Sequence, residues 1–401
     1  MNQPFRIGLI YQGGRNWIGG SMYVKNIILA LASLPNSVKS TFDICLLNND
    51  ALDAATRQEI EPYVSQFYDL DREVKPVTLK NRLIWKVQKE ILRQSNPPFH
   101  PVTKKRKIDF LYPTSSPTRE PFAFRSCPWI PDFQHKYLPH LFSETEIKRR
   151  DREYSEIARR STRVVLSSKT AESDFRKFFP TSKTITEVLH FRTSPASDWF
   201  ISHPEEIQKK YWLPERFFLL SGQFWQHKNH LVVLEALKVL HSQGVYPTIV
   251  CTGHIYDDRK PEYSDLILQT IHTYDLAQQF LVLGLISRSD QIQLMRRSIA
   301  VLQPSLFEGW STVVEDARCL GKPMILSNFP VHIEQNPPES IYFERNSPED
   351  LADALAKSWQ ILAPGPDLQQ EQVAKIKNQE EIQSFGYRFL EIAQGKAKPS
   401  S

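Results

Sequence analysis

Segments with strand character and segments with helix character alternate along the whole of this 401-residue chain. Such alternation is typical of parallel sheets, because a helix usually forms the crossover between two parallel strands. In the first half, we predict strands near 5–11, 41–47, 108–112, 127–131, 163–167 and 184–189, and helices near 21–33, 52–64, 79–94, 143–160 and 169–178. In the second half, we predict strands near 217–221, 247–251, 280–283, 299–302, 323–326 and 340–343, and helices near 229–243, 263–274, 287–296, 312–320, 348–361 and 367–393. The pattern predicts an α/β fold.

The length of the chain predicts two doubly wound domains, since single hydrophobic cores stop growing at roughly 250–300 residues. The Pro-bearing, aperiodic segment from Thr193 to Glu215 is a candidate hinge. We therefore place one domain at 1–195, a second at 196–385, and a helix end with a short tail at 386–401. Because ligands of such domains bind at the carboxyl ends of the strands, we expect a central cleft between the two.

The cysteines and the apolar segments indicate the cellular compartment of the protein. The chain has four cysteines, Cys45, Cys127, Cys251 and Cys319, which lack the spacing of a metal or redox motif, and three of the four lie in apolar stretches. We expect buried free thiols in a reducing compartment. The segment Met1–Tyr11 resembles a strand rather than a signal peptide, and no apolar run approaches the roughly 20 residues of a membrane span. The prediction is a cytoplasmic protein, or one peripheral on the inner face of a membrane.

The two halves of the chain differ in charge. Residues 1–195 carry 31 Lys and Arg against 20 Asp and Glu, whereas residues 196–401 carry 19 against 25. A basic half beside an acidic half suggests different partners for the two. Candidates for the basic half are nucleic acid, an anionic membrane surface and a phosphorylated acceptor.

The stretch 301–323 is the most informative about function. A short strand, Ile299–Leu302, leads into a loop with a carboxylate, Glu308, beside Gly309. Thr312 and Glu315 have the spacing of a capping box, which predicts a helix start near Thr312. Free backbone N–H groups and the helix dipole make such a loop an anion site, while a carboxylate can accept hydrogen bonds from sugar hydroxyls. The combination indicates a nucleotide-sugar site; an ordinary α/β crossover with a surface acid is the alternative.

This stretch resembles the signature of the retaining glycosyltransferases of family 4, which have the GT-B fold of two Rossmann-like domains. The positions that fit the family pattern are Pro304, Ser305, Glu308, Gly309, Trp310, Ala317, Gly321 and Pro323. Asp316 stands where the family usually has a second Glu. By resemblance, Glu308 orients the donor sugar, Gly309, Trp310, Ser311 and Thr312 form the loop and helix start beside the diphosphate, and Asp316 binds the ribose diol. Glu315 is the competitor for that last role.

The segment Phe217–His230 resembles the family segment in which an Arg and a Lys neutralise the diphosphate. Lys228 matches the Lys, whereas Gln223, after Gly222, replaces the Arg. The missing charge must then come from backbone amides, from the helix start near Thr312 or from another basic residue. A solvated lysine at a helix start is the alternative for Lys228. His227 and His230 have no nearby carboxylate or thiolate to complete a metal site, so we predict no metal.

Three further segments match the family less closely. Gly13, Gly14, Gly19 and Gly20 follow the first strand, and by position Gly19 and Gly20 match the Gly pair near the donor diphosphate; a plain flexible turn is the alternative. Leu285 and Ile286 follow Gly284, where the family packs the loop on the nucleobase; an ordinary turn is the alternative.

The segment Trp129–His135 lies at a predicted strand end, where the family often has His-Asp. Pro131 replaces that His, Asp132 matches the Asp, and His135 comes three residues later. Asp132 and His135 are therefore candidate active-site residues, since a His can accept a proton near neutral pH. A Pro-rich structural corner is the alternative.

The segment Leu79–Arg93 predicts a helix with one apolar face and one basic face, and a basic run follows at 104–107. It is either a core helix with a solvated basic face or an interface for anionic lipid or a lipid-diphosphate acceptor. The Asp69–Asp71 pair has the DxD spacing of metal-dependent glycosyltransferases, but it lies in a peripheral segment, and we reject that interpretation.

The resemblance implies a retaining transferase that moves a sugar from a nucleotide-diphosphate sugar to a glycan or lipid-linked acceptor, in cell-surface polysaccharide or glycolipid synthesis. It implies no cofactor beyond the donor substrate and no nucleic-acid partner, with contact to anionic membrane as a further expectation. Two alternatives stay open. One is a sugar-nucleotide epimerase, and the other is a catalytically inactive GT-B protein that serves as a binding or assembly partner.

Overall fold

The structure is a computed structural model, which describes residues 3–11, 18–48, 52–69, 84, 105–115, 125–201, 203–257 and 259–396. Its strands are β1 Phe5–Ile10, β2 Phe42–Asn48, β3 Gln66–Asp69, β4 Phe110–Thr114, β5 Arg125–Ile130, β6 Arg163–Leu166, β7 Ile185–Val188, β8 Phe218–Ser221, β9 Ile249–Thr252, β10 Phe280–Gly284, β11 Val301–Gln303, β12 Met324–Ser327 and β13 Ser340–Phe343.

The described α-helices are α1 Ile18–Ala32, α2 Asn36–Lys39, α3 Ala54–Ile60, α4 Gln134–Tyr137, α5 Glu144–Arg160, α6 Lys169–Phe178, α7 Pro204–Lys210, α8 His230–Ser242, α9 Glu262–Thr273, α10 Arg288–Arg297, α11 Thr312–Cys319, α12 Pro330–Gln335, α13 Pro348–Ile361 and α14 Leu368–Gln394. Short 3-10 helices are Glu61–Tyr63, Pro139–Leu141, Ser197–Phe200 and Gln226–Lys228. Side-chain oxygens cap several helix starts by accepting from an N–H three residues later, as Ser168 does from Ala171 and Ser287 from Asp290.

The chain forms two compact units. The first comprises residues 1–133, 144–194 and 380–401, and the second comprises 134–143 and 195–379. The chain thus passes from one unit to the other beside the expected boundary at residue 195. Two segments depart from the sequence-based division: residues 134–143 belong to the second unit, and the last part of α14 belongs to the first.

The first unit contains a seven-stranded sheet in the order β3-β2-β1-β4-β5-β6-β7. The neighbouring strands pair in parallel, for example β1 with β2 from Phe5 opposite Phe42 to Ile10 opposite Leu47. Strand β3 was not predicted, because its four residues, Gln66–Asp69, are too few to show a periodic pattern. Of the rejected DxD segment, Asp69 ends β3, while Leu70 and Asp71 lie outside the described residues.

The second unit contains a six-stranded parallel sheet in the order β10-β9-β8-β11-β12-β13. Alternate residues of its strands enter separate cores on the two faces: Phe218 and Leu220 of β8 pack in one, and Leu219 packs in the other. All four residues of β8 are buried, as expected for a strand covered by helices on both sides. The predicted pair of Rossmann-like parallel-sheet domains is confirmed.

The candidate hinge contains regular structure that its sequence did not predict. The segment Thr193–Glu215 was expected to be aperiodic, yet it contains Ser197–Phe200 and α7, and Trp199 and Leu213 are buried in the second unit's core. Pro204 is the first residue of α7, a position at which its missing N–H has no intrahelical partner to lose. The four cysteines are buried and free, as predicted. The predicted helix 79–94 lies outside the described residues except for Ile84.

Candidate functional site

The candidate site lies at the carboxyl edge of the second sheet, where the strand order reverses. From β8 the chain proceeds to β9 on one side, whereas β11, on the other side of β8, begins the opposite half. Ligands of open α/β sheets bind at such a switch point, in the crevice between the loops that leave the two central strands. The loop after β8 carries Lys228, and the loop after β11 carries Glu308.

Backbone hydrogen bonds hold the loop after β8 in place. The Gly222 N–H donates to the Thr252 carbonyl at 2.9 Å, and the Phe224 N–H donates to the His254 carbonyl at 3.0 Å. The loop ends in the 3-10 turn Gln226–Lys228 and in Asn229, whose left-handed φ of 57° allows α8 to begin at the next residue. Lys228 therefore stands at a fixed position immediately before a helix.

Lys228 and Glu308 form a direct ion pair. The Lys228 Nζ lies 2.6 Å from the Glu308 Oε1, and the same oxygen accepts a hydrogen bond from the Ser305 Oγ at 2.7 Å. The side chains of Lys228 and Glu308 are 16% and 9% exposed. The sequence therefore identified two residues, 80 positions apart, that the fold brings together.

The surroundings of Glu308 favour its carboxylate form. Burial has the largest single effect and opposes ionisation. The positive charge and the hydrogen bond of Lys228, together with His332 and His227, outweigh it, so the pKa of Glu308 falls to about 2. Burial, reinforced by the charge of Lys228, lowers the pKa of His227 to about 3. At neutral pH the pair is thus a carboxylate and an ammonium beside an uncharged imidazole.

Sequence reasoning missed His332, a fully buried residue of α12. Its Nδ1 lies 3.1 Å from both the carbonyl oxygen and the Oγ of Ser327, and the Ser327 Oγ donates to the Ser305 carbonyl at 2.7 Å. Burial lowers the pKa of His332, although the charge of Glu308 opposes the shift. His332 thus connects α12 to the loop that carries Glu308. The available signal was Pro330, which begins α12, but that helix was too short to be predicted.

The helix start after Glu308 is at Thr312 as predicted, but the predicted capping box is wrong. The cap is Ser311, whose Oγ accepts from the Val314 N–H at 3.4 Å. The carboxylate of Glu315 accepts a hydrogen bond from the Gln335 Nε2 at 2.9 Å and lies near Arg318. The side chain of Glu315 is fully buried.

The side chain of Gln335 holds the loop from Gly309 to Ser311 against the protein. Its Oε1 accepts from the Ser311 N–H at 3.2 Å, and its Nε2 also donates to the Ser311 carbonyl at 3.1 Å. Trp310, next to Ser311, packs partly buried against a cluster formed by Phe307, Phe329 and Val331. The loop that carries Gly309 is therefore held in place by contacts at Trp310 and Ser311, the two residues before the helix.

Asp316, the candidate ribose ligand, is buried one turn inside α11. Its Oδ2 lies 2.7 Å from an Nη of Arg288, the first residue of α10. Arg288 was not among the sequence-predicted site residues, because a single charge at a helix start carries no pattern. The pairing shows that the shorter acid at this position has a cationic neighbour.

Two glycines allow the loops at this edge to approach closely. Gly253, after β9, has φ +134°, and a Cβ there would lie 2.1 Å from the Gly222 carbonyl oxygen. Gly284 ends β10 with φ +72°, and its carbonyl accepts from the Gly253 N–H at 2.8 Å. Gly222 and Gln223, both partly exposed, are thus held against the ends of β9 and β10.

The remaining predicted residues of the second unit differ in exposure. Leu285 is 67% exposed, whereas Ile286 packs partly buried against the core. His135 is buried in α4, within the segment that belongs to the second unit, and its ring lies edge-on to Phe142.

The other candidates lie in the first unit. Asp132 belongs to this unit, where it interacts electrostatically with Arg150 and Tyr154. Gly19 and Gly20 were expected in a loop, but α1 begins at Ile18, so both lie in its first turn. Gly13 and Gly14 lie outside the described residues.

In the part of the chain that the structure describes, no three His, Cys, Asp or Glu side chains are grouped so that they could hold a metal ion. None of the helices described is both long and apolar enough to traverse a bilayer.

Two Rossmann-like parallel-sheet units, one with an acid and a lysine at its switch point, define the GT-B class of glycosyltransferases. Residues 203–360 match the family described as Glycosyl transferases group 1. The predicted enzyme class is that of the matched family, while membership of family 4 stays a prediction.

Comparison with known proteins supports this assignment. The chain is 28% identical over 146 residues to UDP-Gal:alpha-D-GlcNAc-diphosphoundecaprenol alpha-1,3-galactosyltransferase from Escherichia coli, a match that covers 35% of this chain and 35% of that relative. The fold is similar to that of a glycosyltransferase from Rickettsia africae (TM-score 0.63, 16% identity, 100% of each chain). It is also similar to HepE from Anabaena in complex with UDP and glucose (TM-score 0.64, 15% identity, 98% of this chain and 100% of that chain).

Proposed function

We propose that this protein is a retaining glycosyltransferase that moves a sugar from a nucleotide-diphosphate sugar to a lipid-linked or glycan acceptor. The observation that carries the proposal is the Lys228–Glu308 pair at the switch point of the second sheet, within the region that matches Glycosyl transferases group 1. The two side chains come from loops on either side of the point where the strand order reverses, which is where such sheets bind nucleotides.

Lys228 supplies charge for the leaving group. Transfer of the sugar leaves a nucleoside diphosphate, so negative charge develops on the oxygen that departs from the anomeric carbon. An ammonium held in a partly buried site stabilises that charge more strongly than it would in water, because little solvent screens it. The start of α11 near Ser311 and Thr312 adds the positive end of a helix dipole on the same edge.

Glu308 serves as a hydrogen-bond acceptor for the donor sugar. With a pKa of about 2 the group is ionised at neutral pH, so it accepts hydrogen bonds from sugar hydroxyls and holds no proton to give to the leaving group. Its Oε1 already contacts Lys228 and Ser305, which fixes the orientation of the carboxylate. In this proposal Asp316 lies near the ribose, and no cofactor takes part beyond the donor.

The relatives suggest the substrate classes. The Escherichia coli relative transfers galactose from UDP-Gal to a GlcNAc carried on diphosphoundecaprenol, and the HepE structure contains UDP and glucose. For this chain we therefore propose a UDP-sugar as donor and a sugar on a polyprenyl diphosphate as acceptor. The excess of Lys and Arg in residues 1–195 suits an anionic lipid-linked acceptor and a peripheral contact with an anionic membrane.

A two-stage experiment tests the proposal. A thermal-shift screen against UDP-, GDP-, dTDP- and ADP-sugars identifies the donor, because a ligand that binds the folded state raises the unfolding temperature. The selected donor is then incubated with GlcNAc-diphosphoundecaprenol, and NMR of the product determines whether the anomeric configuration is retained. We expect transfer with retention.

Glu308→Gln is the matched control, since it removes the charge with little change in volume. It should abolish transfer while the protein still folds. Wild-type turnover in this variant would show that the site is elsewhere. Donor binding with no transfer to any acceptor would instead support the binding or assembly role.

A further inference from the structure

The candidate site lacks one positive charge that its chemistry calls for. A nucleoside diphosphate carries two to three negative charges, yet the loop after β8 offers Lys228 alone, with the neutral Gln223 five positions earlier. Lys228 in turn shares its charge with Glu308 at 2.6 Å. A second cation near Gly222 and Gln223 would make up the difference.

Arg288, the first residue of α10, is a cation at the same edge of the sheet. Gln291, one turn further along α10, donates through its Nε2 to the Oγ of Ser221, the last residue of β8. Residues three apart share a face of a helix, so Arg288 lies on the same face as Gln291. Because α10 begins at the carboxyl edge, Arg288 lies about 4.5 Å nearer to that edge along the helix axis than Gln291, whose side chain contacts the end of β8.

The guanidinium of Arg288 is fixed by three contacts. An Nη lies 2.7 Å from Asp316 Oδ2, the other Nη donates to Gln291 Oε1 at 2.9 Å, and the group lies over the ring of Trp199 at 5.1 Å. The side chain as a whole is 38% exposed, whereas its Nε and the Nη that faces Asp316 are buried and make no hydrogen bond. An arginine held in place with nitrogens that still lack a hydrogen-bond acceptor can bind an anion without losing much side-chain freedom.

We infer that Arg288 is the second diphosphate-binding cation of this site and takes the place of the charge absent at Gln223. The inference rests on the proposed function and adds a binding residue to it. Asp316 orients the guanidinium, so the acid that neighbours the ribose also positions the cation. The ligand chemistry is that of a nucleoside diphosphate, with the arginine directed at phosphate oxygens rather than at the base.

The test separates phosphate contacts from nucleoside contacts. Isothermal titration calorimetry first selects, among UDP, GDP, dTDP and ADP, the nucleotide that wild type binds best. Arg288→Gln is then titrated with that diphosphate and with the corresponding nucleoside. We expect about ten- to a hundredfold weaker binding of the diphosphate, the range for loss of a charge-assisted hydrogen bond, and nucleoside affinity within twofold of wild type. Lys238→Gln, which removes an exposed cation of α8, is the control and should leave both affinities unchanged.

A second test moves the positive charge to position 223. If Arg288 had only a structural role, this change would not restore diphosphate affinity. Gln223→Arg in the Arg288→Gln background should restore at least part of the diphosphate affinity. The inference is overturned if Arg288→Gln binds the diphosphate as wild type does, or if diphosphate and nucleoside weaken by the same factor. If wild type binds none of the four nucleotides, the proposed function fails as well. If wild type binds a nucleoside diphosphate and Arg288→Gln binds it equally well, only the role of Arg288 is refuted and the proposed function stands.

Discussion

Replacing Lys228 by Met removes the charge of the central ion pair and keeps a side chain of similar length. The pKa of Glu308 is about 2, against the usual 4.5. A difference of 2.5 units corresponds to about 3 kcal/mol of preference for the ionised form in the folded state. The lowered pKa contributes stability that is present above pH 4.5 and is lost as the pH falls through 4.5 toward 2. Without Lys228, the largest of the effects that lower the pKa of Glu308 is lost, so the pKa rises above its value in wild type.

A double-mutant cycle measures this coupling. At pH 7, Lys228→Met leaves Glu308 buried with the Ser305 hydroxyl, and removal of one partner of a buried pair costs about 3–5 kcal/mol. Glu308→Gln leaves Lys228 with an amide oxygen in place of the carboxylate. In the double variant neither side chain is charged, so we expect it to be about 2–3 kcal/mol more stable than the sum of the single effects predicts. The assay is urea unfolding followed by circular dichroism.

The exposed pair Lys148–Glu144 on α5 is the control cycle, with side chains 76% and 86% exposed. Solvent screens such pairs, so its coupling should be much smaller than that of Lys228 and Glu308. Additive effects of Lys228→Met and Glu308→Gln, within the error of the control cycle, would refute the reasoning. They would mean that the contact at 2.6 Å contributes no net stabilisation and that the pKa of Glu308 is not held down by Lys228.

Three further predictions follow from other features. Gly253→Ala should lower the unfolding temperature and weaken nucleotide binding, because the added Cβ would lie 2.1 Å from the Gly222 carbonyl oxygen. An unfolding temperature equal to that of wild type, measured by calorimetry, would contradict this close approach. Burial lowers the pKa of Lys322 to about 7, so above pH 7 the unfolded state binds more protons, and wild type should gain stability relative to Lys322→Met by up to about 1.4 kcal/mol per pH unit toward pH 10. Anionic vesicles should co-sediment the protein at low salt and release it at high salt, and charge reversal at three cations should weaken the binding: Lys86, Lys89 and Arg93. No sedimentation at low salt would assign those residues to solvated surface.

Much of the fold was predictable because the longer elements of both halves have regular patterns. Helices α6 and α13 have the bounds that were predicted, since the apolar spacing is clear and Ser168 and Ser347 mark their starts. The order of the strands was not predictable, because periodicity shows which face of a strand is buried and not which strand lies beside it. Short elements such as β3 and α12 were missed for lack of a full period.

The residues of the candidate site were also predictable only in part. Lys228 and Glu308 were found because each lies in a motif with fixed spacing, and the fold alone shows that they touch. Ser311 displaced Thr312 as the cap, since two adjacent hydroxyls compete and only the backbone geometry decides between them. His332 and Arg288 were missed because each contacts a residue that the sequence does not link to it. His332 contacts Ser327, which belongs to no motif, and Arg288 contacts Asp316, which lies far from it along the chain.

The two departures from the family signature are connected in the structure. Read separately, Gln223 removes a cation and Asp316 shortens an acid, and both changes suggest a weakened site. Arg288 contacts Asp316 directly and shares a helix face with Gln291, which binds the residue before Gly222. A longer acid at position 316 would extend into the space that the guanidinium occupies. The shorter Asp316 therefore leaves room for Arg288, as expected of a site in which Arg288 supplies the charge that Gln223 does not.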